Sequence, residues 1–115
     1  MNQTLGTEKR KFLFLCKGVV SIDNIVSRIN AFIFHIGMTP AREPRIDEYP
    51  YKNMGGIGYT GFFPLTESYV MVDVYIELDQ TEILLSTCKP DRLDVSSVLD
   101  FLTKQIGVTT FVGTI

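Results

Sequence analysis

The apolar positions of the chain follow a helical period in two segments. Apolar side chains recur at three- and four-residue steps over residues 22–36, which predicts an amphipathic helix. Ser21 is the predicted cap of this helix, and Gly37 is predicted to end it in a left-handed conformation. A second apolar stripe follows Asp94, its predicted cap, and ends near Gly107. The pattern therefore predicts two helices, one in each half of the chain.

Strands are predicted where apolar residues form short runs or alternate with polar ones. Short runs over residues 12–16, 57–63 and 108–112 are typical of strands. Residues 68–78 alternate most clearly, and residues 82–88 form a partner strand after a turn. One face of 68–78 is aliphatic and the other aromatic and acidic. The aliphatic face holds Val70, Val72, Val74, Ile76 and Leu78, and the other holds Tyr69, Met71, Asp73, Tyr75 and Glu77.

Three segments are predicted to lie outside these elements. Residues 1–10 are polar and unpatterned, which indicates a loose tail before a single domain at 11–115. Residues 39–54 are rich in proline and charge, which predicts an exposed connection with at most a short edge strand. The glycines at 55–61 precede a strand rather than a helix, so they indicate a hairpin turn and not a phosphate-binding loop.

The order of elements predicts the fold class. The chain runs strand, helix, two or three strands, helix, strand, which is typical of an antiparallel sheet with both helices on one face. We therefore expect a two-layer α+β sandwich. The uncovered sheet face would carry the aromatic and acidic side chains of 68–78, and such a face favours dimerisation or ligand binding.

Composition and charge narrow the function classes. The 115 residues are 45% hydrophobic and 21% charged, and 11 basic against 13 acidic residues give a net charge of −2. No basic patch indicates nucleic acid or an anionic membrane, and no apolar stretch is long enough for a membrane span or resembles a signal peptide. Cys16 and Cys88 lie far apart with one histidine in the chain, which argues against a disulfide or a metal site. We expect a cytoplasmic protein without a metal.

Three short features together carry candidate chemistry. Thr60-Gly61 lies eight residues before Ser68, Glu67 directly precedes that serine, and Cys88 follows it by twenty residues. In these spacings the chain resembles the prokaryotic S-adenosylmethionine decarboxylase family, a pyruvoyl-dependent group of lyases in spermidine (polyamine) biosynthesis. The resemblance covers about residues 11–110, and its specific part is residues 60–88.

The resemblance implies a mechanism and an assembly. The Ser68 hydroxyl would attack the Glu67 carbonyl, and β-elimination would then cut the chain and leave a pyruvoyl group at residue 68. Thr60 would assist that cleavage with a proton. The pyruvoyl group would serve as electron sink during loss of carbon dioxide, and Cys88 would reprotonate the α-carbon. The family fold implies a homodimer that forms a four-layer α/β/β/α sandwich.

The same resemblance places the remaining candidate residues and leaves three functions open. Tyr75 and Glu77 fall at the positions of an aromatic residue and a ribose-binding glutamate, and Met54 is a positional candidate for the adenine contact. Asp73 stands where the family has a histidine that assists cleavage. The resemblance as a whole implies that the chain decarboxylates S-adenosylmethionine. The alternatives are a decarboxylase of another amino acid, or an uncleaved, non-catalytic homologue that acts as a structural or regulatory partner.

Overall fold

The protein forms one antiparallel sheet covered by two helices. The computed structural model describes residues 10–51 and 56–115. Within these ranges the six strands lie in the order β2-β3-β4-β5-β1-β6, and every neighbouring pair is antiparallel. This arrangement confirms the predicted α+β class. In chain order the elements are β1 (Arg10–Lys17), α1 (Ile25–His35), β2 (Arg45–Tyr51), β3 (Gly56–Pro64), β4 (Tyr69–Tyr75), β5 (Gln80–Thr87), α2 (Val95–Gln105) and β6 (Thr109–Thr114).

The core lies between the helices and one face of the sheet. Val70, Val72 and Val74 of β4 are all fully buried, as the period-two pattern predicts. They belong to one apolar cluster with side chains from both helices, including Phe32 of α1 and Leu102 of α2. Both helices therefore cover the same face, and the opposite face of the sheet has no covering layer within the described residues.

The predicted start of α1 is wrong, whereas the predicted end of α1 and the predicted start of α2 are confirmed. Helix α1 begins at Ile25 rather than at residue 22, because residues 22–24 form a turn, so the predicted Ser21 side-chain cap is wrong. Gly37 has the predicted left-handed conformation, with φ of 75°. Asp94 caps α2 as predicted, since its carboxylate accepts a hydrogen bond from the Ser97 N–H at 3.2 Å.

Strand β2 is the largest departure from the predicted elements. The segment expected to be mainly an exposed connection forms a seven-residue edge strand that pairs with β3 along its whole length. An edge position explains this, because one side of an edge strand makes no ladder hydrogen bonds and tolerates Pro50 and charged residues. Of the glycines at 55–61 predicted to form a hairpin turn, those from Gly56 onward lie in β3, and Gly55 lies outside the described residues.

Strand β4 is shorter than predicted. It ends at Tyr75, and residues Ile76–Leu78 form a 3-10 turn that Asp79 closes with φ of 51°. Ile76 and Leu78 are therefore exposed rather than part of the aliphatic face, and Glu77 is not on the same strand face as Asp73. The alternation fails here because a 3-10 turn repeats every three residues rather than every two.

The first and last strands both extend beyond their predicted bounds. Strand β1 begins at Arg10, two residues before the predicted run at 12–16, and residues 1–9 of the predicted tail lie outside the described residues. Strand β6 runs two residues beyond the predicted end and contains a bulge opposite Leu13 and Phe14. Neither described helix is long enough to cross a membrane.

Candidate functional site

The Glu67–Ser68 bond lies in the tight connection between β3 and β4. Leu65 donates its N–H to the Ser68 carbonyl at 2.9 Å, which closes the turn. The turn is held against the segment after α1, because the Thr66 N–H and its hydroxyl both donate to the Thr39 carbonyl, at 3.0 and 3.2 Å. The predicted cleavage bond is thus fixed at one end of the sheet by backbone contacts on both sides.

The pairing of β4 with β5 brings Cys88 to the same end of the sheet. Tyr69 at the start of β4 is opposite Ser86 near the end of β5, so Ser68, directly before β4, and Cys88, directly after β5, lie at the same end of the sheet. Strand register therefore explains how residues twenty positions apart in the sequence become neighbours.

A cavity of about 270 Å³ opens at this point, which we call the Ser68–Cys88 cavity. It lies between the end of α1, the β3–β4 turn, the end of β5 and the 3-10 turn Pro90–Arg92. Its wall combines nucleophilic, charged and apolar groups. The lining residues are Ile36, Gly37, Met38, Thr39, Leu65, Thr66, Glu67, Ser68, Thr87, Cys88, Lys89, Arg92 and Leu93.

The Ser68 hydroxyl is buried and accepts or donates no hydrogen bond among the described residues. Buried hydroxyl groups normally have a partner, so an unbonded one in a cavity wall indicates a functional role or a ligand. Cys88 is a free, half-buried thiol. The cavity therefore holds an uncommitted hydroxyl and an uncommitted thiol beside the Glu67–Ser68 bond, and these residues fit the formation of a pyruvoyl group at residue 68.

Thr60 and Asp73 lie together in a different place. They are opposite each other on β3 and β4, and the Thr60 hydroxyl donates to the Asp73 carboxylate at 2.7 Å. Asp73 is five residues from Ser68, which corresponds to about 16 Å along a strand. Within one chain the structure does not bring this pair to the predicted cleavage bond.

A second carboxylate lies beside Asp73 on the sheet face that neither described helix covers, which we call the open face. Glu82 of β5 is directly opposite Asp73. Burial raises the pKa of Glu82, and the negative charge of Asp73 raises it further. The open face is defined here by Thr60, Phe62, Tyr69, Met71, Asp73, Tyr75, Glu82 and Leu84.

Two of the three predicted substrate-binding residues, Tyr75 and Glu77, do not line the cavity. Tyr75 is half-buried at the far end of β4 on the open face, beyond Asp73 from Ser68. Glu77 is exposed in the following 3-10 turn, and Met54 lies outside the described residues. Among the residues with a described position, no three metal-ligating side chains lie together.

Comparison with solved structures identifies a similar fold. The chain is similar to the crystal structure of the adenosylmethionine decarboxylase from Aquifex aeolicus VF5, with a TM-score of 0.64 and 14% sequence identity. The match covers 93% of this chain and 88% of that one. No protein-family model matches the chain, and no curated protein matches its sequence. At this identity the likeness establishes an adenosylmethionine decarboxylase-like fold.

Sequence reasoning missed two residues of the cavity wall, Lys89 and Arg92. In the sequence, Lys89 only marks the end of a strand, because a single lysine before Pro90 carries no pattern. The available signal was a pair of basic residues that follow Cys88 by one and four positions. That spacing brings two side chains together on a helical segment, and the sequence predicts no helix at this point.

Proposed function

We propose that this protein is a pyruvoyl-dependent decarboxylase of an amino-acid substrate, with S-adenosylmethionine as the first substrate to test. The observation that carries this proposal is the Ser68–Cys88 cavity, where a Glu-Ser bond, an unbonded serine hydroxyl and a free thiol share one wall. The adenosylmethionine decarboxylase-like fold supports the same function. The corresponding process is polyamine (spermidine) biosynthesis.

Self-cleavage between Glu67 and Ser68 is the first proposed reaction. The Ser68 hydroxyl attacks the Glu67 carbonyl and converts the peptide bond into an ester. Removal of the Ser68 α-proton then expels the Glu67 carboxylate, and the resulting enamine is hydrolysed to a ketone with release of ammonia. The absence of a hydrogen-bond partner for the Ser68 hydroxyl among the described residues supports this role, because no described contact must be broken before attack.

Decarboxylation is the second proposed reaction. A pyruvoyl group at residue 68 would supply the electron sink for the loss of carbon dioxide from the substrate. Cys88 then delivers a proton to the substrate α-carbon as a general acid. Its place in the cavity wall supports this role, since Ser68 and Cys88 line the same cavity.

We further propose that the protein is a homodimer whose two open faces pack together into a four-layer α/β/β/α sandwich. Aromatic side chains support this, because the Phe62 and Tyr69 rings lie 5.6 Å apart on a face that nothing in the described chain covers. A dimer would also bring Thr60 and Asp73 of one copy close to the cleavage bond of the other copy. Within one chain they are about 16 Å from Ser68, so a role in cleavage requires the pair from a second copy.

A non-catalytic homologue is the second candidate function. Asp73 occupies the position of a cleavage-assisting histidine and accepts a hydrogen bond from Thr60. A carboxylate that accepts this hydrogen bond offers no N–H donor of the kind that a histidine supplies. In this case the chain remains intact and acts as a structural or regulatory partner. We propose a cytoplasmic location for either function, which two free cysteines support.

Release of carbon dioxide from carboxyl-labelled S-adenosylmethionine tests the proposed activity. The purified full chain should release labelled carbon dioxide, and Ser68→Ala should abolish the release. Ser86→Ala is the matched control, because Ser86 is also a buried serine whose hydroxyl has no described partner, but it does not follow a glutamate. If the cleaved chain decarboxylates another amino acid but not S-adenosylmethionine, the proposed substrate is wrong and the proposed type of reaction still holds. Absence of cleavage and of any turnover would favour the non-catalytic homologue.

A further inference from the structure

The residue before Cys88 carries a buried hydroxyl that holds the backbone on the far side of the cysteine. Thr87 is the last residue of β5, and it is only 1% exposed. Its hydroxyl accepts a hydrogen bond from the Lys89 N–H at 3.0 Å. The two partners are the residues on either side of Cys88, so this bond spans the cysteine.

The backbone of Cys88 lies at a junction between two ordered elements. In the described ladders, β5 pairs with β1 as far as Thr87, so Cys88 follows the last paired residue. The 3-10 turn Pro90–Arg92 begins two residues later. A threonine hydroxyl that bonds to the backbone N–H two residues further on restricts the residue between them. The bond from Lys89 to Thr87 therefore restrains the backbone of Cys88 where no described strand pairing does so.

This restraint lies at the cavity where the thiol would act. Thr87, Cys88 and Lys89 all line the Ser68–Cys88 cavity. A general acid must be held in line with the atom that it protonates, and a displacement of about 1 Å can lower a rate by about 10²-fold. The backbone of a residue sets the direction in which its side chain leaves the chain. A hydrogen bond that fixes the backbone of Cys88 thus also limits the positions open to its thiol.

We propose that Thr87 is a positioning residue, whose hydroxyl holds the Lys89 N–H and thereby orients Cys88 for proton delivery in the Ser68–Cys88 cavity. This role deepens the proposed decarboxylase function and rests on it for the identification of Cys88 as the proton donor. Thr87 delivers no proton itself. Its contribution depends on the hydroxyl as an acceptor, so a serine can replace it and a valine cannot.

Carbon dioxide release from labelled S-adenosylmethionine tests the need for the hydroxyl. Thr87→Val keeps the shape of the side chain and removes the acceptor. We expect the chain still to cleave, with kcat lower by about ten- to a hundredfold and KM little changed, as for a displaced catalytic group. Thr87→Ser should restore kcat. An unchanged kcat in a folded, cleaved Thr87→Val chain would overturn the proposal.

Thr81→Val is the matched control for lost stability. Thr81 is also a buried threonine of β5, and its hydroxyl donates to the Gly18 carbonyl at 2.9 Å, but it does not line the cavity. Each valine variant removes one buried hydrogen bond, so both should lower the melting temperature. Only Thr87→Val should lower kcat. Equal losses of kcat in the two variants would assign Thr87 a structural role alone and overturn the proposal.

A double-mutant cycle tests whether Thr87 acts through Cys88. In the Cys88→Ala chain no thiol remains to be positioned, so adding Thr87→Val should leave the residual rate unchanged. If the two losses multiply instead, Thr87 acts independently of the thiol, and the proposal is wrong.

Alkylation of Cys88 by iodoacetamide provides a readout that needs no decarboxylase activity. It is measured at Cys88 by peptide mass in the full-length Ser68→Ala chain, which cannot form the pyruvoyl group. Thr87→Val should speed alkylation by about two- to tenfold, the equivalent of one lost hydrogen bond, because the half-buried thiol gains positions nearer to solvent. Thr87→Ser and Thr81→Val should not change it.

The alkylation result separates two kinds of failure. Equal alkylation rates in all four chains would overturn the positioning role even if the natural chain cleaves and releases carbon dioxide. If the natural chain does neither while Thr87→Val still speeds alkylation, the proposed decarboxylase function is wrong and the hold of Thr87 on the Cys88 thiol remains.

Discussion

Two regions of the sheet carry the candidate chemistry, and they differ in how their polar groups are satisfied. At the end of the sheet, the Ser68 hydroxyl has no described hydrogen-bond partner and the Cys88 thiol is free. In the middle of the open face, Thr60 and Asp73 are hydrogen bonded to each other. The first region holds groups available for reaction, and the second holds groups that already stabilise one another.

The difference indicates a division of roles. A nucleophile and a general acid must be free to contact the reacting atoms, which suits Ser68 and Cys88. Paired polar groups in a half-buried face suit a contact surface, which agrees with the proposed dimer. The region of Thr60 and Asp73 would then contribute to cleavage only across that contact. The variants below test this division, in order of decreasing expected effect.

Removing the Cys88 thiol should separate the two proposed reactions. Cys88→Ala should lower the rate of decarboxylation by about 10²–10⁴-fold, the usual contribution of a general acid, while the chain still cleaves. Labelled carbon dioxide release and intact mass measure the two steps. Cys16→Ala is the control, because Cys16 is a free cysteine in the core, where burial raises the pKa of its thiol. If Cys88→Ala did not cleave while Cys16→Ala still cleaved, the result would contradict the division of roles.

Restoring a histidine on the open face should speed cleavage. Asp73→His introduces a group that exchanges protons near neutral pH, and we expect an acceleration of about tenfold to a hundredfold if a proton donor limits the step. The fraction of cleaved chain over time measures it. Asp47→His is the control, because Asp47 lies opposite Thr60 on the neighbouring strand β2. Equal acceleration by both variants would show that position 73 has no specific role.

The crowded carboxylates of the open face should make stability depend on pH. Because burial and Asp73 raise the pKa of Glu82 in the folded chain, the folded state holds this proton more tightly than the unfolded state. Stability therefore falls as pH rises from the ordinary glutamate pKa through the raised one. Glu82→Gln should be more stable at neutral pH by no more than about 1 kcal/mol, with no gain below about pH 4.

Thermal unfolding at several pH values measures this effect. Glu43→Gln is the control, because Glu43 is exposed in the connection before β2 and should change the melting temperature little at any pH. A gain in Glu82→Gln that grows as the pH falls would contradict the sign of the effect.

Much of the fold could be predicted from side-chain periodicity. The alternation of Val70, Val72 and Val74 identified the buried face of β4, because side chains alternate between the two faces of a strand. The ends of elements were less predictable. The left-handed Asp79 and the 3-10 turn before it depend on where the chain must reverse, which periodicity does not encode. Strand β2 was missed because an edge tolerates residues that are rare in central strands.

The candidate site was predictable only where it depends on spacing. Ser68 and Cys88 were singled out by the resemblance to the S-adenosylmethionine decarboxylase family that the eight- and twenty-residue intervals carry, and the pairing of β4 with β5 brings both to one cavity. Lys89 and Arg92 could not be predicted, because no pattern in the sequence indicates the 3-10 turn Pro90–Arg92 or its place at the cavity wall. The separation of Thr60 from Ser68 also depends on tertiary structure, since the chain between them folds back through a tight turn.

The intact mass of the purified full chain under denaturing conditions tests the central claim most directly. The account predicts two species, residues 1–67 and 68–115, with a pyruvoyl group in place of the amino terminus of the second. Ser68→Ala should give one species, and Ser86→Ala should give two. A single full-length mass for the natural chain that persists in Asp73→His would contradict the account and favour the non-catalytic homologue.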